Sequence, residues 1–111
     1  MMFNFVIKQK GREKNMKIIT LCGSLKYQSE MIKEAINLTM MGNCVLTPIF
    51  PTNNMGNPTK DELQKFKAAH FKRIELSDAI YVVNKDKYIG DSTKKEIEYA
   101  KSLDKEIIYM E

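Results

Sequence analysis

The sequence predicts a three-layer α/β domain in which helices cover both faces of a parallel β-sheet. Two observations carry this. Four short runs, 17–22, 44–47, 78–83 and 106–110, are rich in aliphatic and β-branched residues and nearly continuous in apolar character, the pattern of strands covered on both faces. Between them lie three segments whose apolar residues recur at helical spacing. Strands alternating with helices pair in parallel through right-handed crossovers, and the most economical order is 2-1-3-4, the flavodoxin-like (Rossmann-like) arrangement. With 111 residues and 43% hydrophobic content, the chain has material for one domain with a real core.

Residues 1–15 read as an N-terminal extension and 16–111 as the domain. The extension holds Phe3-Asn4-Phe5-Val6-Ile7, a further candidate edge strand, then a polar stretch with Gly11. Met16-Lys17-Ile18 looks like a natural domain start, so Met1 and Met16 are both candidate initiators. The first strand ends at Gly23-Ser24. A surface helix follows over about 28–41, with Met31, Ile32, Ala35, Ile36 and Thr39 on its inner side and Gly42 as its stop. The second strand, read as buried, is closed by Pro48 and Pro51. Residues 50–59 have the Asn, Gly and Pro content of an irregular binding loop or lid. Thr59 and Glu62 then have capping-box spacing at the head of a helix whose Leu63, Phe66, His70 and Ile74 face inward. His70 therefore has two readings, a hydrogen-bonded core histidine and a site residue. The third strand leads through polar 84–88 into the segment 90–100.

That segment is the most informative stretch. Gly90 and Asp91 are turn formers, and Thr93 with Glu96 has the spacing of a capping box. At 100° per residue Glu96 falls within roughly 40° of Ala100, on the apolar stripe, whereas Lys94, Lys95, Glu98 and Lys101 take the other side. An inward carboxylate must be paired, neutralised or exposed to a cleft. Either Glu96 closes the cap, or it faces a site.

Charge and composition exclude several classes. The net charge of +4 is concentrated in residues 1–15, which hold Lys8, Lys10, Arg12 and Lys14 against Glu13. The remainder carries 14 basic against 13 acidic residues, so no basic face for nucleic acid is implied. No apolar run reaches the roughly 20 residues of a membrane span, and no secretory signal is recognisable; the expected address is the cytoplasm. Cys22 and Cys44 have no Cys or His companions at ligand spacing and read as buried hydrophobes, so neither a metal nor another cofactor is expected.

In the 2-1-3-4 order the switch point lies between the first and third strands, so the loops 22–28 and 84–93 face one crevice. They bring Gly23, Ser24, Lys26, Asn84, Gly90, Asp91, Ser92 and Thr93 to it, with Glu96 on one wall. Gly23-Ser24 with Lys26 suits an anion, and together with the inward carboxylate describes a pocket for a phosphorylated small molecule.

These residues resemble the nucleoside 2-deoxyribosyltransferase superfamily, and within it the 2′-deoxynucleoside 5′-phosphate N-hydrolases, over most of 16–111. The similarity rests on Leu21-Cys22-Gly23-Ser24-Leu25-Lys26, on Gly42 with Val45-Leu46-Thr47, on Ser77-Asp78-Ala79-Ile80-Tyr81-Val82-Val83 and on Glu96-Ile97-Glu98-Tyr99-Ala100. The resemblance implies a nucleoside or nucleotide ligand, a 5′-phosphate site at Ser24 and Lys26, a homodimer or larger assembly, and Glu96 as the nucleophile that attacks C1′ of the sugar. Three positions depart from the family pattern. Thr20 stands where a Tyr orients the nucleophile, His70 where an Asp binds the sugar hydroxyl, and Gly90, beside Asp91, where a polar residue is usual. A histidine in the sugar slot has a hydroxyl or phosphate to contact. Three functions fit this pattern: an N-glycosidase or deoxyribosyltransferase, a nucleotide-sensing module that has lost turnover, and an oligomerising scaffold in which Glu96 and Ser24 are caps.

Overall fold

The computed structural model describes residues 16–111; the extension 1–15, with its candidate strand, lies outside the described residues. The elements are β1 (Ile18–Gly23), α1 (Gln28–Met40), β2 (Cys44–Leu46), α2 (Lys60–Leu76), β3 (Ala79–Val83), α3 (Asp91–Ser102) and β4 (Glu106–Tyr109). Single turns of 3-10 helix occupy Leu25–Tyr27 and Lys85–Lys87. The four described strands pair in parallel in the order β2-β1-β3-β4, as the sequence predicts.

Alternation along the strands divides the core between two layers. Ile19, Leu21, Ala79 and Val83 pack with Met31 and Leu38 of α1 on one face. Cys22, Ile80 and Val82 meet Ile74 of α2 and Ile97 and Ala100 of α3 on the other. The inner face of α1 is rotated from the expected one: Leu38 is buried, whereas Ile32, Ile36 and Thr39 are exposed. β2 is only half-buried, because it is a three-residue edge strand with one neighbour. Leu63 and Phe66 border a cleft and not the core, so the outer half of α2 is a wall with little beneath it. Among the described residues no helix is long and apolar enough to cross a membrane.

The helix ends follow local chemistry. Thr59 and Glu62 form the expected reciprocal box, with Glu62 N–H donating to Thr59 Oγ1 at 3.1 Å and Thr59 N–H to Glu62 Oε1 at 2.8 Å. Gly42 ends α1 at φ +98°, its N–H bonded to Thr39 O while Asn43 N–H reaches back to Leu38 O. The cap expected at Thr93 and Glu96 does not form. Gly90 has the extended backbone of a cap residue and accepts the first helical bond, from Lys94 N–H at 2.9 Å, so α3 begins at Asp91 and Thr93 is already inside it, buried.

Candidate active site

A cleft of about 680 Å³ lies outside the carboxyl ends of β1 and β3, where the strand order reverses. The turn after β1 and the start of α3 form one side, and α2 with the loop that precedes it forms the other. Of the residues expected here, Gly23, Ser24, His70, Gly90, Asp91, Ser92, Thr93 and Glu96 line the cleft. Gly23 lets the strands close beneath it: a β-carbon would lie 3.0 Å from Val83 O. Lys26 and Asn84 are not among the lining residues. The Lys26 ammonium sits over the Tyr88 ring, 3.7 Å from its centroid, and 5.3 Å from that of Tyr27. Asn84 is buried and clamps the chain end, accepting from Glu111 N–H at 2.9 Å and donating to Glu111 O at 3.2 Å.

Glu96 follows Thr93 by one helical turn and precedes Ala100 by another, so the helix carries it to the inner end of the cleft with 17% of its side chain exposed. Its Oε1 is buried and has no hydrogen-bond partner. Burial pushes the carboxyl pKa up to about 7, against the weaker opposing pull of the Cys22 thiol and the Lys67 ammonium. With the helix capped by Gly90 backbone, capping cannot account for this carboxylate.

Two groups the sequence reading did not place here complete the centre. Cys22, on the α2 and α3 face of β1, lies within 4.8 Å of both Glu96 and His70, and burial, followed by the Glu96 charge, raises its thiol pKa well above the usual value. It is therefore a thiol, a donor toward Glu96 and not a nucleophile. Arg73 approaches His70 from the next turn of α2, with a guanidinium nitrogen 3.4 Å from Nδ1. A guanidinium only donates, so Nδ1 accepts and the proton of the neutral ring resides on Nε2. That nitrogen lies 3.7 Å from both Cys22 Sγ and Glu96 Oε1. Burial and then the Arg73 charge depress the His70 pKa to about 4. With His70 neutral above about 4 and Glu96 protonated below about 7, the His70–Glu96 contact is no ion pair at any pH. Cys22, His70 and Glu96 have the donor types of a metal site, but a cation on Nε2 would force a proton onto Nδ1, opposite the donating Arg73. Metal binding at Nε2 would therefore have to displace the Arg73 contact.

Thr20 is engaged elsewhere. Its hydroxyl bonds Ser77 Oγ and Arg73 O beneath α2, so it does not replace an orienting tyrosine. The spacing of His70 and Arg73, three residues apart, was visible in the sequence; the pairing of Cys22 with them depends on the β1–α2 packing and was not.

A scan against protein-family models gives no match to the chain, and a search of curated proteins finds no relative. Among solved structures the chain is similar to the 2-desoxiribosyltransferase from Leishmania mexicana, with 21% identity and a TM-score of 0.55. The alignment covers 84% of this chain and 63% of that one, so the chain spans less than two thirds of that protein's length. At that identity the likeness is one of architecture, and the chain has the α/β fold of this deoxyribosyltransferase, sheet order included.

Proposed function

We propose that the chain cleaves the N-glycosidic bond of a nucleoside or nucleoside 5′-monophosphate, with Glu96 as nucleophile, as a hydrolase or transferase. The observation that carries this is the buried, unpartnered Oε1 of Glu96 at the inner end of the cleft. An unsatisfied buried carboxylate oxygen costs about 1–3 kcal/mol, and no structural contact here offsets it. A nearly neutral pKa leaves about half the molecules ionised at pH 7, and the anion is both basic and poorly solvated. In the first step a Glu96 oxygen forms a bond to C1′, the C1′–N bond breaks, and its electron pair leaves with the base, which takes a proton. In the second, water or another base attacks C1′ and the ester C–O bond breaks, returning the carboxylate. Thr20 and Gly90 then lack the roles of their family counterparts.

The phosphate of a monophosphate would sit between Ser24 and the start of α3, whose first N–H groups have no side-chain cap. Lys67 and Arg73 on the opposite wall supply positive charge, while Lys26 is held by Tyr88. The homodimer implied by the resemblance belongs to the same proposal and is read by sedimentation; α1 leaves Ile32, Ile36 and Met40 exposed.

One observation favours a second reading, nucleotide sensing without turnover. The Thr20 hydroxyl is committed to Ser77 and Arg73, leaving Glu96 without the orienting hydroxyl that the resemblance implies. A thermal-shift panel of nucleosides and their 5′-monophosphates, with free base assayed in the same wells, separates the two. Stabilisation with base release supports the enzyme; stabilisation without release over long incubation supports the sensor; no stabilisation by any member contradicts both.

A further inference from the structure

The buried polar centre under the cleft contains more than a nucleophile needs. Arg73, His70 and Cys22 form a directed series that ends at Glu96, assembled from α2 and β1 against α3. Arg73 fills the acceptor at Nδ1, so the His70 proton points from Nε2 into the gap between Sγ and Oε1. No acceptor other than these two lies in that gap among the described residues. At 3.7 Å Oε1 lies beyond a formed hydrogen bond but close enough for the N–H dipole to favour the ionised carboxylate.

We propose that His70, held in its Nε2–H tautomer by Arg73, is the positioning residue of Glu96, taking over the orientation of the carboxylate that the Thr20 hydroxyl is too far committed to provide. This rests on the reading of Glu96 as nucleophile, but its physical content, a fixed tautomer whose N–H faces Cys22 Sγ and Glu96 Oε1 at equal distance, exists whether or not turnover occurs. The charged and titratable groups around Glu96 are Cys22 from β1, Lys67, His70 and Arg73 from α2, and Asp91 from its own helix. Two of these are neutral donors, the Cys22 thiol and the His70 ring, and of the two only the His70 N–H has its tautomer fixed by a cationic neighbour. An imidazolium there would be a stronger donor, but Arg73 beside it opposes the second proton. The Arg73 contact thus selects direction over charge.

His70 is the chain's single histidine, so one pair of ring nitrogens reports the tautomer. Long-range nitrogen–proton correlation spectra of the full chain should show Nε2–H from pH 5 to pH 9, and Arg73→Met should allow the Nδ1–H form. An Nδ1–H ring in the wild type, or an imidazolium at pH 6, overturns the proposal. The second measurement is the Glu96 carboxyl titration by carbon NMR, with Glu96→Gln to identify the signal. Gln and Met are close in shape, and only the amide can donate from the place of Nε2. His70→Gln should titrate near the wild type and His70→Met about one pH unit higher, a tenfold change in proton affinity. Equal midpoints in the two folded variants overturn the proposal. If base is released, kcat should fall at least tenfold in His70→Met and recover in His70→Gln, with KM little changed; if none is released, the tautomer and titration still decide.

Discussion

Replacing Glu96 by glutamine should change the pH dependence of stability in a way no other single substitution here does. The folded chain raises the Glu96 pKa from 4.5 to about 7, so it binds that proton more tightly than the unfolded chain. The corresponding stabilisation is complete below about pH 4.5 and is lost as the pH rises through 7. At 1.36 kcal/mol per pH unit, the loss is at most about 3 kcal/mol. His70 has the opposite sign: its pKa falls from 6.5 to about 4, so its contribution is complete above pH 6.5 and lost as the pH drops through 4. Between pH 4.5 and 6.5 the two oppose each other, and the wild type should be nearly flat in their contribution. Glu96→Gln leaves only the histidine, and its stability should fall on acidification from pH 6.5. In urea unfolding at pH 5, 6, 7 and 8, the variant should gain on the wild type with rising pH, by up to about 3 kcal/mol at pH 8 relative to pH 5. The same histidine contribution is present in both proteins and cancels in the comparison. A difference that stays constant from pH 5 to pH 8 refutes the burial of an unpaired carboxyl.

Further substitutions test the cleft and the helix ends. Lys67→Ala should weaken binding of a 5′-monophosphate by about tenfold in calorimetry, whereas Lys26→Ala, whose ammonium rests on Tyr88, should change it less. Gly23→Ala should cost about 1–3 kcal/mol in urea unfolding, because the new β-carbon meets Val83 O at 3.0 Å and Val83 Cβ at 3.3 Å. The two helix ends that share a left-handed residue should respond in opposite directions: Gly42→Ala destabilises by about 1 kcal/mol, and Asp104→Gly, at φ +59° with Lys105 N–H bonded to Ala100 O, stabilises by a similar amount.

The sheet order was legible because each apolar strand is separated from the next by an amphipathic segment, a pattern that right-handed crossovers convert almost directly into topology. The inward direction of Glu96 was legible for the same reason, helical phase. The cap at Thr93 was misread because Ser/Thr-x-x-Glu is only a local signal: Gly90 backbone can end the extended chain three residues sooner, and burial of Thr93 and Ile97 fixes where the helix sits. Lys26 was expected to face an anion, but the aromatic faces of Tyr27 and Tyr88 come from two separate turns that only the fold brings together. Asn84 has the composition of a loop residue and instead ties the chain end, a contact across 27 positions that spacing does not reveal. Cys22 was correctly read as buried and without partners in sequence; its partners come from α2 and α3 in space.

The most direct measurement is mass spectrometry of the acid-quenched protein after incubation with nucleosides and nucleoside 5′-monophosphates, with free base quantified in the same samples. The wild type should release base and carry a transient adduct of one sugar or sugar phosphate on the peptide that contains Glu96, and Glu96→Gln should do neither. An adduct on another residue, or undiminished base release by Glu96→Gln, rules out Glu96 as the nucleophile.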